Sequence, residues 1–205
     1  MNKRKQSRLI GRIVLAKDLR KKENIEKIPK NKPGWYRWWA PENALVKLLN
    51  SKYLDKKYLD ILLPKLTQKK INGNIYYFIY VGIAVNESIR GRLNWHVNQH
   101  HTESSVKSGF LSTLRKSISS LVAENQFDES ATNELIDMLI IEYNTIDFKI
   151  HPIEAKNKIE EHECLEINNN VLPLNIKGNK NEYLKEYKKQ LKLIRKKSRN
   201  KGYKI

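Results

Sequence analysis

The sequence predicts an α/β domain, because three apolar segments with strand-like composition alternate with segments that have helical periodicity. The 205 residues suit one domain with elaborations, and 40% hydrophobic residues are enough to build a core. Forty Lys and Arg against 22 Asp and Glu leave a formal charge of +18. This charge favours a polyanionic partner, with nucleic acid as the first candidate, over the alternative of a basic surface without such a ligand.

The chain begins with a basic segment, residues 1–32, in which a short apolar stretch precedes a run of lysines and arginines. We expect an arm or a peripheral element here. Pro33 and Gly34 mark its boundary, and the aromatic residues 35–39 then predict a first strand that ends at Pro41. The tryptophans in this strand are expected to pack in the core.

The middle of the chain predicts short helices, a second strand and a further helix. Leucines recur at three- and four-residue steps in residues 42–70, which favours short helices. Residues 75–83 are β-branched and aromatic, which predicts a buried strand antiparallel to the first. Residues 88–99 carry apolar side chains at four-residue steps, as one face of a helix does.

The second half predicts one more strand among helices. Helices are expected over residues 105–124, 153–168 and 182–199, and a strand over residues 138–150. Residues 171–178 form a loop that contains Pro173. The last helix is rich in lysine, for which a solvated helix face is the alternative to a binding surface.

Two absences narrow the class of protein. No apolar run approaches the roughly 18 residues that a membrane span needs, and no apolar signal core directly follows the basic start, so we expect a cytoplasmic protein. Cys164 is the single cysteine, which excludes an internal disulfide and a cysteine-rich zinc site. We expect its side chain to be buried.

Several short motifs occur in a definite order. Gly34-Trp35-Tyr36 opens the first strand and Tyr80-Val81-Gly82 ends the second. Arg92 and His96 follow one helical turn apart, and Glu163 precedes Asn175 by twelve positions with Pro173 between them. This order, from Gly34 to about Asn179, resembles the GIY-YIG nuclease family, and most closely its compact restriction-endonuclease-like or phage-associated branch.

The resemblance implies an α/β fold with a small central three-stranded antiparallel sheet flanked by helices. The catalytic domain would span residues 33–179, between the basic arm 1–32 and a basic C-terminal helix in residues 180–205. Tyr36 and Tyr80 are further apart than is usual in the family, so residues 42–70 are a helical insertion that could contact DNA or mediate dimerisation.

The resemblance also implies a metal-dependent DNA endonuclease, monomeric or homodimeric, that acts on DNA, expected to be double-stranded, with Mg²⁺ or Mn²⁺. Two alternatives stay open. One is a catalytically silent nucleic-acid-binding protein on the same fold, and the other is a structure-selective repair nuclease.

By the resemblance, Tyr36 would activate the attacking water as general base, and Tyr80 would orient the nucleophile or the phosphate. A tyrosine pKa near 10 is too high for a good base at neutral pH, so we expect nearby positive charge to lower it. Arg92 and the metal could supply that charge, and Arg92 would also contact the scissile phosphate. His96 lies one turn from Arg92 and could relay a proton or hold Tyr36.

Glu163 would ligate the metal and Asn175 would brace the site by hydrogen bonds. Glu161 is the next candidate ligand, because several acids crowd the same predicted helix. His96 and His100 have the four-residue spacing of zinc ligands, but no third ligand follows at motif spacing, and zinc is disfavoured. His100 and His101 are expected on the surface or facing DNA.

Affinity for DNA is expected from the arm and from basic side chains on two helices. Phosphate contacts of this kind hold the duplex without reading its sequence. The predicted contacts are Lys107, Arg115, Lys116, Lys188, Lys189, Arg195 and Lys196.

Overall fold

A computed structural model describes residues 11–123, 125–146 and 152–200. Its five strands, within these residues, are β1 (Arg12–Leu15), β2 (Gly34–Pro41), β3 (Gln68–Ile71), β4 (Asn74–Ala84) and β5 (Ile140–Thr145). They form one sheet in the order β1-β5-β2-β4-β3, and every neighbouring pair is antiparallel.

The helices of the described residues surround this sheet, joined by 3₁₀ turns at Ala16–Arg20, Leu63–Lys65 and Glu182–Leu184. They are α1 (Lys22–Ile25), α2 (Glu42–Leu49), α3 (Lys57–Leu62), α4 (Ile89–Asn98), α5 (Glu103–Lys107), α6 (Thr113–Val122), α7 (Glu129–Asp137), α8 (Pro152–Asn169) and α9 (Lys185–Asn200). None is long and apolar enough to cross a membrane.

The prediction of three strands is wrong, although the three predicted strands are the central ones, β2, β4 and β5. β1 lies inside the segment expected to be an arm and pairs with β5 at one edge. β3 pairs with β4 at the other edge. Both are four residues long. β1 lies in the short apolar stretch that was expected to belong to an arm, whereas β3 is largely polar, because one of its sides faces water, and its composition does not indicate a strand.

The sheet packs on both faces. Tyr36 and Trp38 point from β2 into the larger core, which contains α2, α4, α6 and α9. The helical insertion belongs to this core: Leu45 and Leu48 are fully buried. Ile167 of α8 packs on the opposite face in a smaller cluster with Phe78, Val81 and Leu172.

The helix predicted over residues 105–124 is two helices. The first, α5, cannot continue past Gly109, which has a positive φ of 76°. The second, α6, begins after Ser112, whose hydroxyl accepts a hydrogen bond from the Arg115 backbone N–H at 3.2 Å. The predicted strand over 138–150 begins at Ile140, and its last residues, 147–150, lie outside the described residues. α7 was not predicted.

Candidate active site

The two tyrosines lie on neighbouring strands and on one face of the sheet. Tyr36 is opposite Gly82 and Trp38 is opposite Tyr80, and a β-bulge follows, because Trp39 pairs with Phe78 and leaves Ile79 without a partner. Strand residues alternate between faces, so a bulge reverses the alternation beyond it. Tyr80 shares the face of Tyr36 because its partner Trp38 lies two residues from Tyr36 on β2, and the ring centroids of the two tyrosines are 6.5 Å apart. The bulge acts beyond Tyr80, where it places Phe78 on the opposite face with Trp39.

Gly82 makes room for the Tyr36 ring. A Cβ atom at position 82 would lie 2.3 Å from the Tyr36 hydroxyl oxygen and 2.5 Å from Cζ, well inside van der Waals contact. The Tyr36 ring therefore lies directly over the backbone of Gly82 on β4. Gly82 is needed here because it has no side chain.

The Tyr36 hydroxyl is hydrogen-bonded to His96 on α4, with an Oη–Nε2 distance of 2.7 Å. Burial, together with the charges of Arg92 and Arg115, lowers the pKa of His96 to about 3. The imidazole is therefore neutral at physiological pH, and Nε2 accepts the tyrosine proton. The single N–H proton of the ring is therefore on Nδ1, which is buried without a hydrogen-bond partner among the described residues.

Both tyrosines are harder to ionise here than in water. Burial raises the pKa of Tyr36 well above its ordinary value, the neighbouring Tyr80 raises it further, and the opposing effect of Arg92 is smaller. Burial likewise raises the pKa of Tyr80 to about 12. In the protein without a bound metal ion, desolvation therefore outweighs the charge of Arg92, and this arginine alone does not lower the pKa of Tyr36.

Arg92 points into the same cleft. Its guanidinium carbon is 4.9 Å from the Trp95 ring centroid, and its Nε is 3.0 Å from Glu87 Oε1, an ion pair without hydrogen-bond geometry. Arg90, two residues earlier, donates to the backbone oxygens of Ile28 and Glu26, both at 2.5 Å. Arg90 is thus held by the N-terminal segment, and Arg92 is the arginine of α4 that lines the cleft.

Glu163 reaches the cleft from α8. The cleft has a volume of about 600 Å³, and its walls include Tyr36, Tyr80, Arg92 and Glu163. Glu161 is exposed and does not line it. Burial raises the pKa of Glu163, and Arg92 opposes this shift.

The orientation of α8 is fixed from the opposite face of the sheet. Arg37, the residue after Tyr36, donates from Nη2 to Glu166 Oε1 at 2.5 Å. His162 packs on Trp35 with ring centroids 4.7 Å apart. Because these contacts hold the residues on either side of Glu163, they determine which side of α8 faces the cleft.

The donor set fits a hard cation with few protein ligands. Among the described residues, no group of three or more His, Cys, Asp or Glu side chains could hold a metal ion. Glu163 is a half-buried carboxylate with no cation in salt-bridge range in that part of the chain, and the cleft beside it has room for several waters. Mg²⁺ or Mn²⁺ with one protein carboxylate suits this arrangement, whereas zinc does not.

The side chain of Asn175 is buried and forms hydrogen bonds with the backbone of β4. Its Oδ1 accepts from the Val81 N–H at 2.9 Å, and its Nδ2 donates to the Val81 carbonyl at 2.8 Å. Both polar groups of the amide are used in this way. The side chain therefore holds the 171–178 loop against β4 between Tyr80 and Gly82.

The expectation that Arg115 contacts DNA is wrong, because its side chain does not reach the surface. The side chain is fully buried. Its guanidinium donates to His101 Nε2 at 2.9 Å, to the His96 carbonyl at 3.0 Å and to Asn133 Oδ1 at 2.7 Å. The arginine supports the helix that carries His96. His101 is buried as its acceptor rather than exposed, whereas His100 is exposed beside Glu129.

The other predicted DNA contacts lie at or near the surface. Lys107 pairs with Glu103 and Lys189 with Glu186, at 2.8 and 2.7 Å respectively. Lys116 donates to the carbonyl of Gly109, and Lys188 donates to that of Asn179. Arg195 and Lys196 line a cavity between α6 and α9.

Sequence analysis missed two residues of the cleft, Trp95 and Lys177, missed Glu87 beside it, and misplaced Cys164. Trp95 lies under Arg92, and its position three residues later on one helix was the available signal. Glu87 pairs with Arg92, and Lys177 lines the cleft from the loop after Asn175. Cys164 was expected to be buried but is exposed, because it lies on the solvent side of α8 at the rim of the cleft.

These groups define a catalytic domain whose chemistry suits attack on a phosphodiester: a tyrosine paired with a neutral histidine faces an arginine and a carboxylate. A family model described as the GIY-YIG catalytic domain matches residues 34–197, and the chain belongs to this family. The resemblance is thereby confirmed, and it implies a nuclease with a nucleic acid substrate. No curated protein and no solved structure matches the chain.

Proposed function

We propose that this protein is a metal-dependent endonuclease that hydrolyses phosphodiester bonds in DNA. The observation that carries the proposal is the 2.7 Å hydrogen bond between Tyr36 and His96 at the wall of a cleft that also holds Arg92 and Glu163. The net charge of +18 supports a polyanionic substrate.

Tyr36 and His96 work as a proton relay. The phenol oxygen takes a proton from the attacking water while the phenol proton passes to His96 Nε2. A free phenolate never forms, which matters because burial has raised the pKa of Tyr36. The general base is thus the pair rather than the tyrosine alone.

Substrate binding makes this relay more basic. Arg92 is one of the two charges that lower the pKa of His96. A phosphate bound to Arg92 neutralises that charge, so the histidine accepts a proton more readily once DNA is in place. The guanidinium also stabilises the negative charge that develops on the phosphorane oxygens.

Glu163 would hold the Mg²⁺ or Mn²⁺ ion. When bound, the ion would supply charge stabilisation for the leaving 3′ oxygen. The water oxygen forms the new bond to phosphorus as the bond to the 3′ oxygen breaks, and the 3′ oxyanion takes a proton from solvent, which leaves a 5′ phosphate and a 3′ hydroxyl.

Glu163→Gln tests the proposal, with Glu161→Gln as the matched control on the same helix. The protein is incubated with Mg²⁺ and with unmethylated, methylated, branched and single-stranded DNA, and binding is measured separately without metal. We expect Glu163→Gln to lose Mg²⁺-dependent cleavage by about 10² or more while DNA binding stays equal or becomes tighter, because one anion facing the phosphates is gone. Glu161→Gln should cleave as the wild type does.

Normal cleavage by Glu163→Gln contradicts the assignment of the metal ligand. If the wild type binds each of these substrates but cleaves none of them, the silent DNA-binding alternative is favoured instead. Preferential cleavage of branched DNA identifies a structure-selective nuclease.

A further inference from the structure

A cavity of about 350 Å³ between α6 and α9 is lined by cationic side chains. Its walls include no aspartate or glutamate among the described residues. The cations are Lys116, Lys192, Arg195, Lys196 and Arg199.

The four cations of α9 share one face of that helix. They are spaced at three, four and seven residues from Lys192, which places them side by side. Burial lowers the pKa of Lys116, and the charges of Arg195 and Arg199 lower it further, so these cations are close enough to repel one another. A cluster of like charges without a counter-charge in its walls is stabilised by a bound anion.

The cavity adjoins the active-site cleft. Ile176 lines both. Arg195 is near enough to Tyr80 that its charge opposes the burial that raises the pKa of that tyrosine. An anion in the cavity and a phosphate at Arg92 would therefore be neighbours.

An aromatic side chain beside the cavity is exposed to solvent. Phe110 is 72% exposed, the largest exposure among the large hydrophobic residues of the described chain. The loop that carries it is held in place: Gln99 Nε2 donates to the Phe110 carbonyl at 2.9 Å, and the Leu111 N–H donates to the Ser105 carbonyl at 3.0 Å. The loop starts at the cavity, where Gly109 is part of the wall, and leads to Thr113 in the cleft.

From this arrangement we infer a nucleotide-binding subsite beside the active site, in which the cation cavity holds a backbone phosphate of the DNA and Phe110 stacks on an adjacent base. A basic groove combined with an exposed aromatic ring is the usual means of holding an unpaired nucleotide. The subsite rests on the proposed function, and it selects DNA in which a base next to the scissile phosphate is unstacked.

The phosphate part is tested by metal-free binding of a fluorescein-labelled DNA duplex, measured by anisotropy from about 50 to about 200 mM salt. The variant combines Lys192→Gln with Arg199→Gln. The control combines Lys185→Gln with Lys197→Gln, which removes the same charge from exposed positions of the same helix that do not line the cavity.

Because the cavity cations share one phosphate, we expect the cavity variant to bind about tenfold more weakly, with the salt slope reduced by about one. The control should lose less than about threefold, because it removes only long-range attraction. Equal losses in the two variants, or a slope reduced by about two, would indicate diffuse surface contacts and overturn the site.

The base part is tested with Phe110→Ser, Phe110→Leu and Phe110→Trp on a duplex that carries an unpaired base. Stacking contributes about fivefold or more in affinity, so Phe110→Ser should lose that factor, Phe110→Leu should not restore it and Phe110→Trp should. Quenching of the added tryptophan by DNA gives a direct signal for stacking. A Phe110→Ser protein that binds as the wild type does overturns the subsite.

These results separate the subsite from the enzyme. If the wild type neither binds nor cleaves DNA, the proposed function fails. If it cleaves DNA while the cavity and Phe110 variants behave as their controls do, only the subsite fails.

Discussion

Gly82→Ala is expected to disable the active site without touching a polar group. The new methyl carbon would lie 2.3 Å from the Tyr36 hydroxyl oxygen and 2.9 Å from Cε2. Normal contact needs roughly 3.5 Å, so the ring must move by about 1 Å. The Tyr36–His96 hydrogen bond is 2.7 Å long, and a displacement of this size takes the hydroxyl out of hydrogen-bond geometry.

The magnitude has two parts. Overpacking of this kind costs about 1–3 kcal/mol, and the lost buried hydrogen bond adds about 1 kcal/mol. The free energy of unfolding should therefore fall by about 2–4 kcal/mol. An error of 1 Å in the position of a catalytic group reduces kcat by about 10².

Urea unfolding followed by tryptophan fluorescence measures the stability, and single-turnover cleavage measures the rate. Gly91→Ala is the control, because its Cβ would meet the Ser88 hydroxyl at an ordinary 3.4 Å. Alanine within α4 should stabilise the protein by about 0.5–1 kcal/mol. Wild-type stability together with a wild-type rate in Gly82→Ala would refute the steric argument.

Three further outcomes follow from buried or cleft-lining charges. Arg115→Met should lower the free energy of unfolding by about 3 kcal/mol, because it leaves buried acceptors unpaired, yet keep the salt slope of DNA binding; a lower slope would restore Arg115 as a DNA contact. Burial holds the pKa of His101 at about 4, against 6.5 when unfolded, so the stability it contributes is complete above pH 6.5 and falls as pH drops toward 4, by about 1.4 kcal/mol per pH unit. His101→Gln should flatten that acid dependence in urea titrations, and an unchanged slope would contradict the assignment. Arg92→Lys keeps a cation but loses the planar guanidinium group, so the single-turnover cleavage rate should fall by about 10² with folding intact. Near-normal rates would mean that another cation binds the scissile phosphate.

The central strands were predictable because their patterns are continuous. Residues 35–39 and 75–83 have the composition of buried strands, and in the structure they lie in the largely buried strands β2 and β4. The edge strands were not predictable, because a short polar strand such as β3 is stabilised by pairing with β4 rather than by its own composition.

The order of the motifs in the sequence was enough to name the residues that meet in the cleft, but their environment could not be predicted. The bulge at Ile79, which puts Tyr80 and Phe78 on opposite faces of the sheet, has no signature in a run of apolar residues. Charge alone placed Arg115 on the surface, whereas buried carbonyls and His101 retain it in the interior. The sign of the Tyr36 pKa shift depends on burial, which only the folded structure supplies.

The pairing of Asn175 with Val81 has a consequence for solubility. β3 pairs only with residues of β4 up to Tyr77, so the rest of β4 would have unpaired backbone N–H and C=O groups on the edge that faces away from β2. Strands with such open edges attract strands of other molecules and aggregate. The Leu174 N–H binds the Ile79 carbonyl, and the Asn175 amide binds both backbone groups of Val81. The loop that lines the candidate active site therefore also covers this edge of the sheet beside Tyr80, so the same segment protects the protein against self-association.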